Sequence, residues 1–578
     1  MNARAVQTSP SHNRGRTLVV LCLITGLAAL LRLAYLSDFP PSLSHDEVAI
    51  GYNAYSVLKT GRDEYGTPVP LMFRSFDDYK LPGMVYATVP TVALLGLNPW
   101  GVRLPSAVFG ILAVMVFAGL TAEVLRGTQF ERLKVYGVPI WTWGTMFFAV
   151  SVWHINFSRQ SFESNGAVFF LMLGIYALLL SRRQLEFLFT AAVSFAAAIY
   201  FYYSVRLVIP PVLLAYVIIY RRDLAKSVRT VIAAAILGLL LLSPLLPRIF
   251  SAEGFSRISM VSVVNDDSYI GRLRKYSEIA AAKPDLLNRV RYNRRVALAF
   301  TIAENYAKNL SPKHVFLTGT GSGGLMYLYE LPLLLLGIAT LLRLTSPVKW
   351  IIAVWAFSAF LPGALSQNQP NALRTLAASP VLSVFSALGF IVLTAYPGNT
   401  HRIVRRIMLI GFTGLVVSAA ITFFGGYLNY MTLGSLAFGD GYRQMVGFAS
   451  VHSAEYENII ITGRYWRPYI FTLFWTGYDP ASYQNTGSVD GFGKFRFVKS
   501  GWDAHSDPLA DSRIPVNSLA PPGINLYILS PGEYSAHKSE LTLIRSIHGV
   551  YAPEVFIAAA EKVPVRQIPK SVQSDLPR

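Results

Sequence analysis

The sequence contains a single cysteine and few charged residues, and both shortages restrict what the protein is. Cys22 has no second cysteine with which to form an intramolecular disulfide or a cysteine metal cluster. Only 14% of the 578 residues are charged, whereas 53% are hydrophobic, and the mean hydropathy is +0.41. This composition is more apolar than the core of a soluble protein of this length requires. The sequence therefore excludes an ordinary soluble protein and indicates one that lies in a bilayer.

Long apolar runs predict a polytopic helical membrane protein. The run that starts at Thr17 has about 20 residues, which at about 1.5 Å per residue cross a hydrocarbon core about 30 Å thick. No small-residue cleavage site follows it, so we interpret it as a retained span and not as a signal peptide. With ten further runs, the sequence predicts about eleven spans, which start near residues 17, 103, 138, 166, 187, 205, 228, 326, 349, 374 and 405.

The distribution of lysine and arginine predicts the orientation of these spans. The formal net charge is +19, and the basic connections fall on every second turn, so the positive-inside rule places residues 1–16 in the cytoplasm as a short tail. An odd number of spans then places the C-terminus outside the cytoplasmic membrane. We attribute the basic balance to topology and not to a nucleic-acid partner.

Three regions outside the spans are long enough to carry function. The extracytoplasmic loops 37–102 and 250–325 are the first two, and the second is basic with helical spacing, which suits either anionic lipid headgroups or a solvated helix. From residue 428 the sequence becomes polar and turn-rich, and the extended runs ENIIITG, KFRFV and INLYILS predict a small α/β domain. The predicted organisation is therefore a transmembrane catalytic domain, 17–427, followed by an extracytoplasmic α/β domain, 428–578, with a disordered tail.

Two acidic pairs occur in the segment SHDEVAIGYNAYSVLKTGRDEYG, residues 44–66, and the first is Asp46 with Glu47. One interpretation of this first pair is structural, because Ser44 and Glu47 have the spacing of a capping box for a helix that ends at Gly61. The other interpretation is chemical, because this helix starts just beyond the outer end of the first span, where a lipid substrate meets water. The sequence leaves both interpretations open.

Further polar residues recur at the same predicted face of the membrane. Carboxylates mixed with cations suit a reaction in which a base takes a hydroxyl proton while cations stabilise a departing phosphate, as in glycosyl transfer from a lipid phosphate. Each arginine also has a structural interpretation, since arginines mark the ends of spans and snorkel to the interface. The candidates are Asp63, Glu64, Asp77, Asp78 and Lys80 in the first loop, and Arg103, Arg159, Glu163, Arg206 and Arg374 at the outer ends of later spans.

The sequence leaves the metal requirement open. Convergent carboxylates hold Mg²⁺ or Mn²⁺ through oxygen ligands, but the sequence does not show which carboxylates converge. The spacing of His45 and His154 does not fit a zinc site, so we interpret both as polar residues at the interface.

Seven segments, in their order along the chain, resemble those of a known family. It is the family of integral-membrane glycosyltransferases with the GT-C fold, in the branch of the dolichyl-phosphate-mannose–protein mannosyltransferases and the lipid A aminoarabinose transferases. The resemblance covers most of the chain. It rests on the segments SHDEVAIGYNAYSVLKTGRDEYG, FDDYKLPGMVYATVP, LNPWGVRLPSAVFG, HINFSRQSFESNG, YFYYSVRLVIP, GGLMYLYELPLLLLGI and NALRTLAASPVLSVFSALG.

The resemblance implies roles for particular residues. It implies that Asp46, with Glu47 beside it, supplies the catalytic carboxylate, that Lys80 binds the donor phosphate, and that the donor is a polyprenyl-phosphate sugar. Two positions depart from the pattern: Ala49 stands where the aminoarabinose transferases have an arginine, and Glu163 lies one residue short of the mannosyltransferase spacing. The first departure leaves the donor sugar open. The lack of an inserted carbohydrate-binding domain favours a prokaryotic membrane.

The predicted function is transfer of a hexose or pentose, with inversion, from a polyprenyl-phosphate carrier to a protein, lipid or cell-envelope glycan on the extracytoplasmic face. A transporter or flippase is the alternative, and a non-catalytic scaffold is a third interpretation. Transporters commonly keep ionisable residues near the midplane on broken helices, whereas these residues gather at one interface. We therefore favour an enzyme in which Asp46 is the base and the phosphate-binding candidates are Lys80, Arg103, Arg206 and Arg374.

Overall fold

The computed structural model describes residues 10–76, 78–282, 285–320, 323–395, 401–435, 439–465, 467–498, 509, 511 and 514–561. Most of the predicted N-terminal tail and the predicted disordered tail therefore lie outside the described residues. The α-helices of the described residues are α1 Pro10–Leu33, α2 His45–Thr60, α3 Gly83–Leu95, α4 Pro99–Leu125, α5 Ile140–Ala149, α6 Val152–Ser158, α7 Glu163–Ser181, α8 Phe187–Phe201, α9 Ile209–Lys226, α10 Val228–Leu242, α11 Leu246–Ile249, α12 Ala252–Val261, α13 Asp267–Ala282, α14 Leu286–Arg291, α15 Arg294–Leu310, α16 Glu330–Arg343, α17 Val348–Ser358, α18 Leu361–Ala364, α19 Ser379–Ala395, α20 His401–Ile421, α21 Leu428–Leu433, α22 Tyr442–Val451, α23 Pro468–Thr476, α24 Pro480–Thr486 and α25 Pro531–Ala536. The β-strands are β1 Phe73–Ser75, β2 Asp78–Lys80, β3 Lys134–Val135, β4 Val138–Pro139, β5 Asn458–Thr462, β6 Gly491–Phe492, β7 Phe495–Val498, β8 Asn525–Leu529, β9 Leu541–His548 and β10 Glu554–Glu561.

The helices confirm a polytopic membrane protein. Each of the eleven predicted spans falls on a helix, namely α1, α4, α5, α7, α8, α9, α10, α16, α17, α19 and α20. Among the described residues, six segments are long and apolar enough to cross a membrane: Arg14–Leu33, Pro99–Leu125, Glu163–Ser181, Tyr203–Lys226, Leu376–Ala395 and Ile410–Tyr427. The sequence places α3 in an extracytoplasmic loop, but α3 is a further short apolar helix.

The chain divides into two compact units that interleave in sequence. The first consists of Met1–Ala34, Leu81–Gly83 and Ser106–Tyr427, and the second of Tyr35–Lys80, Met84–Pro105 and Leu428–Arg578. The sequence assigns loop 37–102 to the transmembrane domain, whereas nearly all of this loop belongs to the second unit. The reason is that the loop packs on the C-terminal part of the chain, which sequence patterns do not reveal.

In the first unit, α16 and α19 pack closely because glycine faces backbone at their contact. An added Cβ at Gly337 would overlap the carbonyl group of Phe385, and one at Gly389 would overlap that of Leu333. Small residues that allow two backbones to approach are typical of helix packing within membranes. These glycines therefore fix how the two helices pack against each other.

In the second unit, a six-stranded mixed sheet has the strand order β6-β7-β5-β8-β10-β9. β5 is parallel to both β7 and β8, and the remaining pairs are antiparallel. The three runs that predict strands form β5, β7 and β8, which confirms the small α/β region. β9 and β10 have no counterpart in the prediction, because the alanine-rich sequence of β10, EVFIAAAE, has no alternation of apolar and polar residues.

The core of the second unit holds α2 in place. Val48, Ala49 and Tyr52 on α2 are almost fully buried and pack in one cluster with the aromatic residues of α23 and the central strands. At Gly51, an added Cβ would lie 2.6 Å from the ring of Phe474, so this position requires a residue without a side chain. Burying each large apolar side chain contributes about 1.5–3 kcal/mol, so the N-terminus of α2 rests on a rigid base.

Candidate active site

The candidate active site in the second unit is built around an ion pair between Asp46 and Lys80. Lys80 Nζ donates to Asp46 Oδ1 at 2.6 Å. Asp46 lies in the first turn of α2, and Lys80 is the last residue of β2, whose hairpin with β1 pairs Lys80 with Phe73. The Lys80 side chain is 8% exposed and the Asp46 side chain 31%. The site therefore presents an accessible carboxylate that is held by a nearly buried ammonium group.

His45 lies beside this ion pair. Its Nε2 atom is 3.7 Å from Asp46 Oδ1, and its ring centroid is 5.6 Å from that of Phe76. Burial is the main cause that lowers the pKa of His45, the charge of Asp46 opposes this shift, and the charges of Lys80 and Arg467 add to it. We therefore expect an uncharged imidazole at neutral pH, which can form a hydrogen bond with a hydroxyl group without adding a charge.

Glu47 and Arg103 form a fully buried ion pair in this unit. The predicted capping box is confirmed, because the Ser44 and Glu47 side chains each accept from the other's backbone N–H, and α2 ends at Gly61 in the left-handed conformation. Arg103 Nε donates to Glu47 Oε1 at 2.8 Å, and Nη2 donates to Oε2 at 3.2 Å.

The remaining N–H groups of Arg103 hold the loop that precedes α2. Nη1 donates to the carbonyl oxygens of Leu36 and Pro40, and Nη2 donates to that of Ser42. All five N–H groups of Arg103 are thus engaged by protein oxygens, and the side chain is 0% exposed. Binding a phosphate would break these contacts, so we do not carry Arg103 into the proposed phosphate site, although the sequence predicts it there.

The second acidic pair lies in the turn after α2 and is buried. Asp63 Oδ1 accepts from the backbone N–H groups of Tyr65 and Thr67 at 3.0 and 2.8 Å, so its carboxylate closes the turn. Burial raises the pKa of Asp63, and these hydrogen bonds oppose the shift. Glu64 is 1% exposed, and the Tyr469 hydroxyl donates to its Oε1 at 3.5 Å.

Glu64 is therefore a protonated acid over much of the physiological pH range. Burial, and then the charge of Asp63, raise the pKa of Glu64 to about 8 from its ordinary value of 4.5. Its Oε2 atom has no hydrogen-bond partner among the described residues. A neutral carboxyl group in this position avoids the larger cost of a buried, poorly solvated charge.

We expect Glu64→Gln to change how stability depends on pH. Between 4.5 and about 8 the folded wild type retains a proton that the unfolded chain has released, so its stability falls as pH rises, by up to about 1.4 kcal/mol per pH unit. The variant has no such group. The thermal unfolding midpoint of Glu64→Gln relative to wild type should therefore rise between pH 5 and pH 9 in detergent.

Glu457→Gln is the matched control, because Glu457 is exposed in the same unit. The same measurements on this variant show the effect of replacing a surface carboxylate in this unit. A midpoint difference for Glu64→Gln that is the same at pH 5 and pH 9 would contradict the protonated state of Glu64.

For the two remaining carboxylate candidates of the first loop, Asp77 and Asp78, the structure gives less information. Asp77 lies outside the described residues. The backbone of Asp78 pairs with that of Ser75 in the hairpin that carries Lys80. Their predicted place in the site stays a prediction.

In the first unit, the fully buried Arg159 binds the end of α1. Its Nη1 atom donates to the carbonyl oxygens of Leu31, Arg32 and Ala34 at 3.2, 3.3 and 2.8 Å. Its guanidinium carbon lies 4.8 Å from the ring centroid of Phe423. Since the last carbonyl groups of a helix carry partial negative charge, they stabilise this buried cation. The geometry supports a structural role for Arg159.

Arg32, like Arg159, is buried and donates to backbone carbonyl oxygens, and no sequence pattern predicts these contacts. Arg32 is fully buried, and its Nη1 donates to the carbonyl oxygens of Ala28 and Ala149 at 3.1 and 3.0 Å. Its Nη2 lies 3.0 Å from Nδ1 of His154. His154 is therefore a buried partner of an arginine, and its place at the membrane interface stays a prediction.

The other three candidates also lie in the first unit. Glu163 is 7% exposed in the first turn of α7. The Arg206 guanidinium carbon is 4.4 Å from the ring centroid of Tyr203. Arg374 Nη1 donates to the carbonyl oxygen of Gln367 at 2.8 Å. A role of these residues in substrate binding stays a prediction.

The structure also places near His45 a cation, Arg467, which is not among the predicted site residues. The Arg467 guanidinium carbon lies 5.2 Å from the ring centroid of Phe76, the same ring that contacts His45. Arg467 directly precedes α23, about 400 residues after Asp46 in the sequence. The available signal is the basic and aromatic run RYWRPY, which fits an aromatic membrane belt equally well.

The described residues contain no group of three or more His, Cys, Asp or Glu side chains placed to hold a metal ion. Asp77, which is close in sequence to Lys80, lies outside the described residues, so this absence does not extend to it.

Sequence comparisons and structural comparisons give different results for this chain. No family model matches the sequence, and no curated protein matches it. The crystal structure of ArnT from Cupriavidus metallidurans bound to undecaprenyl phosphate is similar, with a TM-score of 0.50 at 13% identity over 96% of this chain and 98% of ArnT. Apo ArnT from the same organism gives a TM-score of 0.52 at 11% identity over 95% and 98%. ArnT is a lipid A aminoarabinose transferase. The chain therefore has the GT-C fold of integral-membrane glycosyltransferases.

Proposed function

We propose that the protein is a membrane glycosyltransferase that moves a sugar from a polyprenyl-phosphate carrier to an acceptor on the extracytoplasmic face. The observation that carries this proposal is the 2.6 Å ion pair of Asp46 and Lys80 at the start of α2. It joins a carboxylate at the start of α2 that can take a proton with a cation at the end of β2 that can bind a phosphate.

Asp46 is the general base of the proposed reaction. A sugar or protein hydroxyl is a weak nucleophile until its proton is removed, and the accessible Asp46 carboxylate accepts that proton. The acceptor oxygen then bonds to the anomeric carbon while the bond from that carbon to the phosphate oxygen breaks. Since attack comes from the face opposite the leaving group, a single displacement inverts the anomeric centre.

Lys80 stabilises the leaving group. In the unliganded site its ammonium group neutralises Asp46, and a bound donor offers phosphate oxygens that compete for the same ammonium group. When Lys80 moves to the phosphate, its hydrogen bond to Asp46 is lost, and the Asp46 carboxylate accepts a proton more readily. The two residues thereby couple donor binding to activation of the base, and the polyprenyl phosphate departs with its charge compensated.

The fold supports the class of substrate. ArnT, which has the same fold, has been crystallised with undecaprenyl phosphate. The predicted orientation supports an extracytoplasmic site, because loop 37–102 connects an inside-to-outside span with the next. The sugar and the acceptor are to be found by experiment.

A panel of polyprenyl-phosphate sugars tests the proposal. Purified protein in detergent is incubated with each donor, and release of free polyprenyl phosphate is measured by mass spectrometry. At least one donor should release the lipid phosphate in an enzyme-dependent manner. If transport of intact lipid-linked sugar occurs in vesicles and no donor is cleaved, the transporter alternative is correct.

Lys80→Ala is expected to weaken donor binding by about 10- to 100-fold, because a charge-assisted hydrogen bond contributes about 1.5–3 kcal/mol. The measurement is the KM for the donor that the panel identifies, together with the affinity for free polyprenyl phosphate. Lys59→Ala is the control, since Lys59 is an exposed lysine on α2, the helix that carries Asp46. Undiminished affinity for the lipid phosphate in Lys80→Ala would remove Lys80 from the phosphate site.

A further inference from the structure

We propose that Arg467 is a second cation of the Asp46 site and binds the phosphate of the lipid donor together with Lys80. This inference deepens the proposed function and rests on it. It assigns a substrate-binding role to the C-terminal part of the second unit, which the sequence treats as a separate domain.

Contacts within the second unit connect Arg467 to Asp46. The guanidinium carbon of Arg467 lies 5.2 Å from the ring centroid of Phe76, and this centroid lies 5.6 Å from that of His45. His45 Nε2 is in turn 3.7 Å from Asp46 Oδ1. Lys80 and Arg467 both act electrostatically on the His45 ring, in addition to burial. Both cations therefore lie near the His45 imidazole, which is the neighbour of the Asp46 carboxylate.

The backbone conformations of Arg467 and Phe76 indicate that the fold holds these two residues in defined positions. Arg467 has φ +53° and Phe76 has φ +63°, both in the left-handed region that residues with side chains rarely adopt. The two strained residues contact each other, although they come from distant parts of the chain. Such conformations persist where the surrounding structure requires them, and they cluster at ligand sites.

The charge of the leaving group provides the chemical reason for a second cation. The Asp46–Lys80 pair has no net charge, whereas a departing phosphate monoester has a charge between −1 and −2 at neutral pH. A guanidinium group binds two phosphate oxygens at once and stays protonated, so it suits this role. Arg103 is fully engaged elsewhere. The N-terminus of α23, which directly follows Arg467, carries a partial positive charge that adds to that of the guanidinium group.

Arg467→Gln tests the inference by its effect on two lipids that differ only in the phosphate. Affinities of the purified full-length protein for undecaprenyl phosphate and for undecaprenol are measured in detergent. The variant should bind undecaprenyl phosphate at least about tenfold more weakly, since a charged hydrogen bond is lost, and undecaprenol as well as wild type does. Arg443→Gln is the matched control, because Arg443 is exposed in the same unit and also contacts an aromatic ring, that of Trp475 at 5.4 Å.

The outcomes separate this inference from the proposed function. If Arg467→Gln weakens binding of both lipids equally, its role is structural and the inference is wrong. Unchanged affinity for undecaprenyl phosphate, or an effect confined to the KM for the acceptor, also overturns it. A wild-type protein that binds the two lipids equally would overturn the proposed function itself, because no phosphate site would then exist.

Discussion

Replacing Asp46 by Asn is expected to lower the rate of sugar transfer by about a hundredfold or more, which is the usual contribution of a positioned general base. The amide is close in shape to the carboxylate, so α2 and its capping box stay intact. It cannot accept the proton of the acceptor hydroxyl. The decrease should therefore appear in kcat, as measured by initial rates in detergent with the donor that the panel identifies. The KM for the donor should not rise, because the amide competes less with the phosphate for Lys80 than the carboxylate does.

Asp38→Asn is the control for this variant. Asp38 is exposed, lies in the same unit before α2, and receives a hydrogen bond from the neighbouring Ser37 hydroxyl. The control should retain the wild-type rate. If Asp46→Asn is properly inserted and as stable as wild type but transfers sugar at the wild-type rate, Asp46 is not the base.

Arg103→Met is expected to destabilise the second unit by about 3–5 kcal/mol, because it leaves the buried Glu47 charge without its partner. It also removes the hydrogen bonds to the loop that precedes α2. The measurement is the thermal unfolding midpoint in detergent, supported by the yield of folded protein. The pair of Arg126, whose side chain is 40% exposed, with Glu123 provides the comparison. Arg126→Met should cost less than about 1 kcal/mol, because Arg182 still pairs with Glu123.

A double variant separates the structural role of Arg103 from phosphate binding. Arg103→Met combined with Glu47→Gln removes both charges, so it should be more stable than Arg103→Met alone. Full stability of Arg103→Met, together with a selective loss of affinity for polyprenyl phosphate, would favour the original prediction that Arg103 binds the donor.

The features that the sequence predicts best are those that depend on local spacing. The eleven apolar runs coincide with helices, and six segments of the described residues have the length and composition that crossing a bilayer requires. The capping box of Ser44 and Glu47 is equally local, since it needs only residues three positions apart. The strands β5, β7 and β8 are short, apolar and flanked by turn residues, so they are also visible in the sequence.

The arrangement of the site depends on contacts between distant residues, and the sequence does not show these. Asp46 and Lys80 enter the prediction through the charged segments of the first loop and the resemblance to a family, but their 2.6 Å contact emerges only from the fold. The full engagement of Arg103 depends on the path of the loop before α2. The buried Glu64 accepts a hydrogen bond from Tyr469, and the charge of Arg467 helps to lower the pKa of His45. Tyr469 and Arg467 both come from the C-terminal part of the chain.

The most direct test of the central claim is a single turnover by wild type and Asp46→Asn, each loaded with the same polyprenyl-phosphate sugar and mixed with acceptor. Asp46→Asn should bind the donor at least as tightly as wild type, and only wild type should release polyprenyl phosphate at a substantial rate as the glycosylated acceptor forms. Equal rates of release from the two proteins would contradict it.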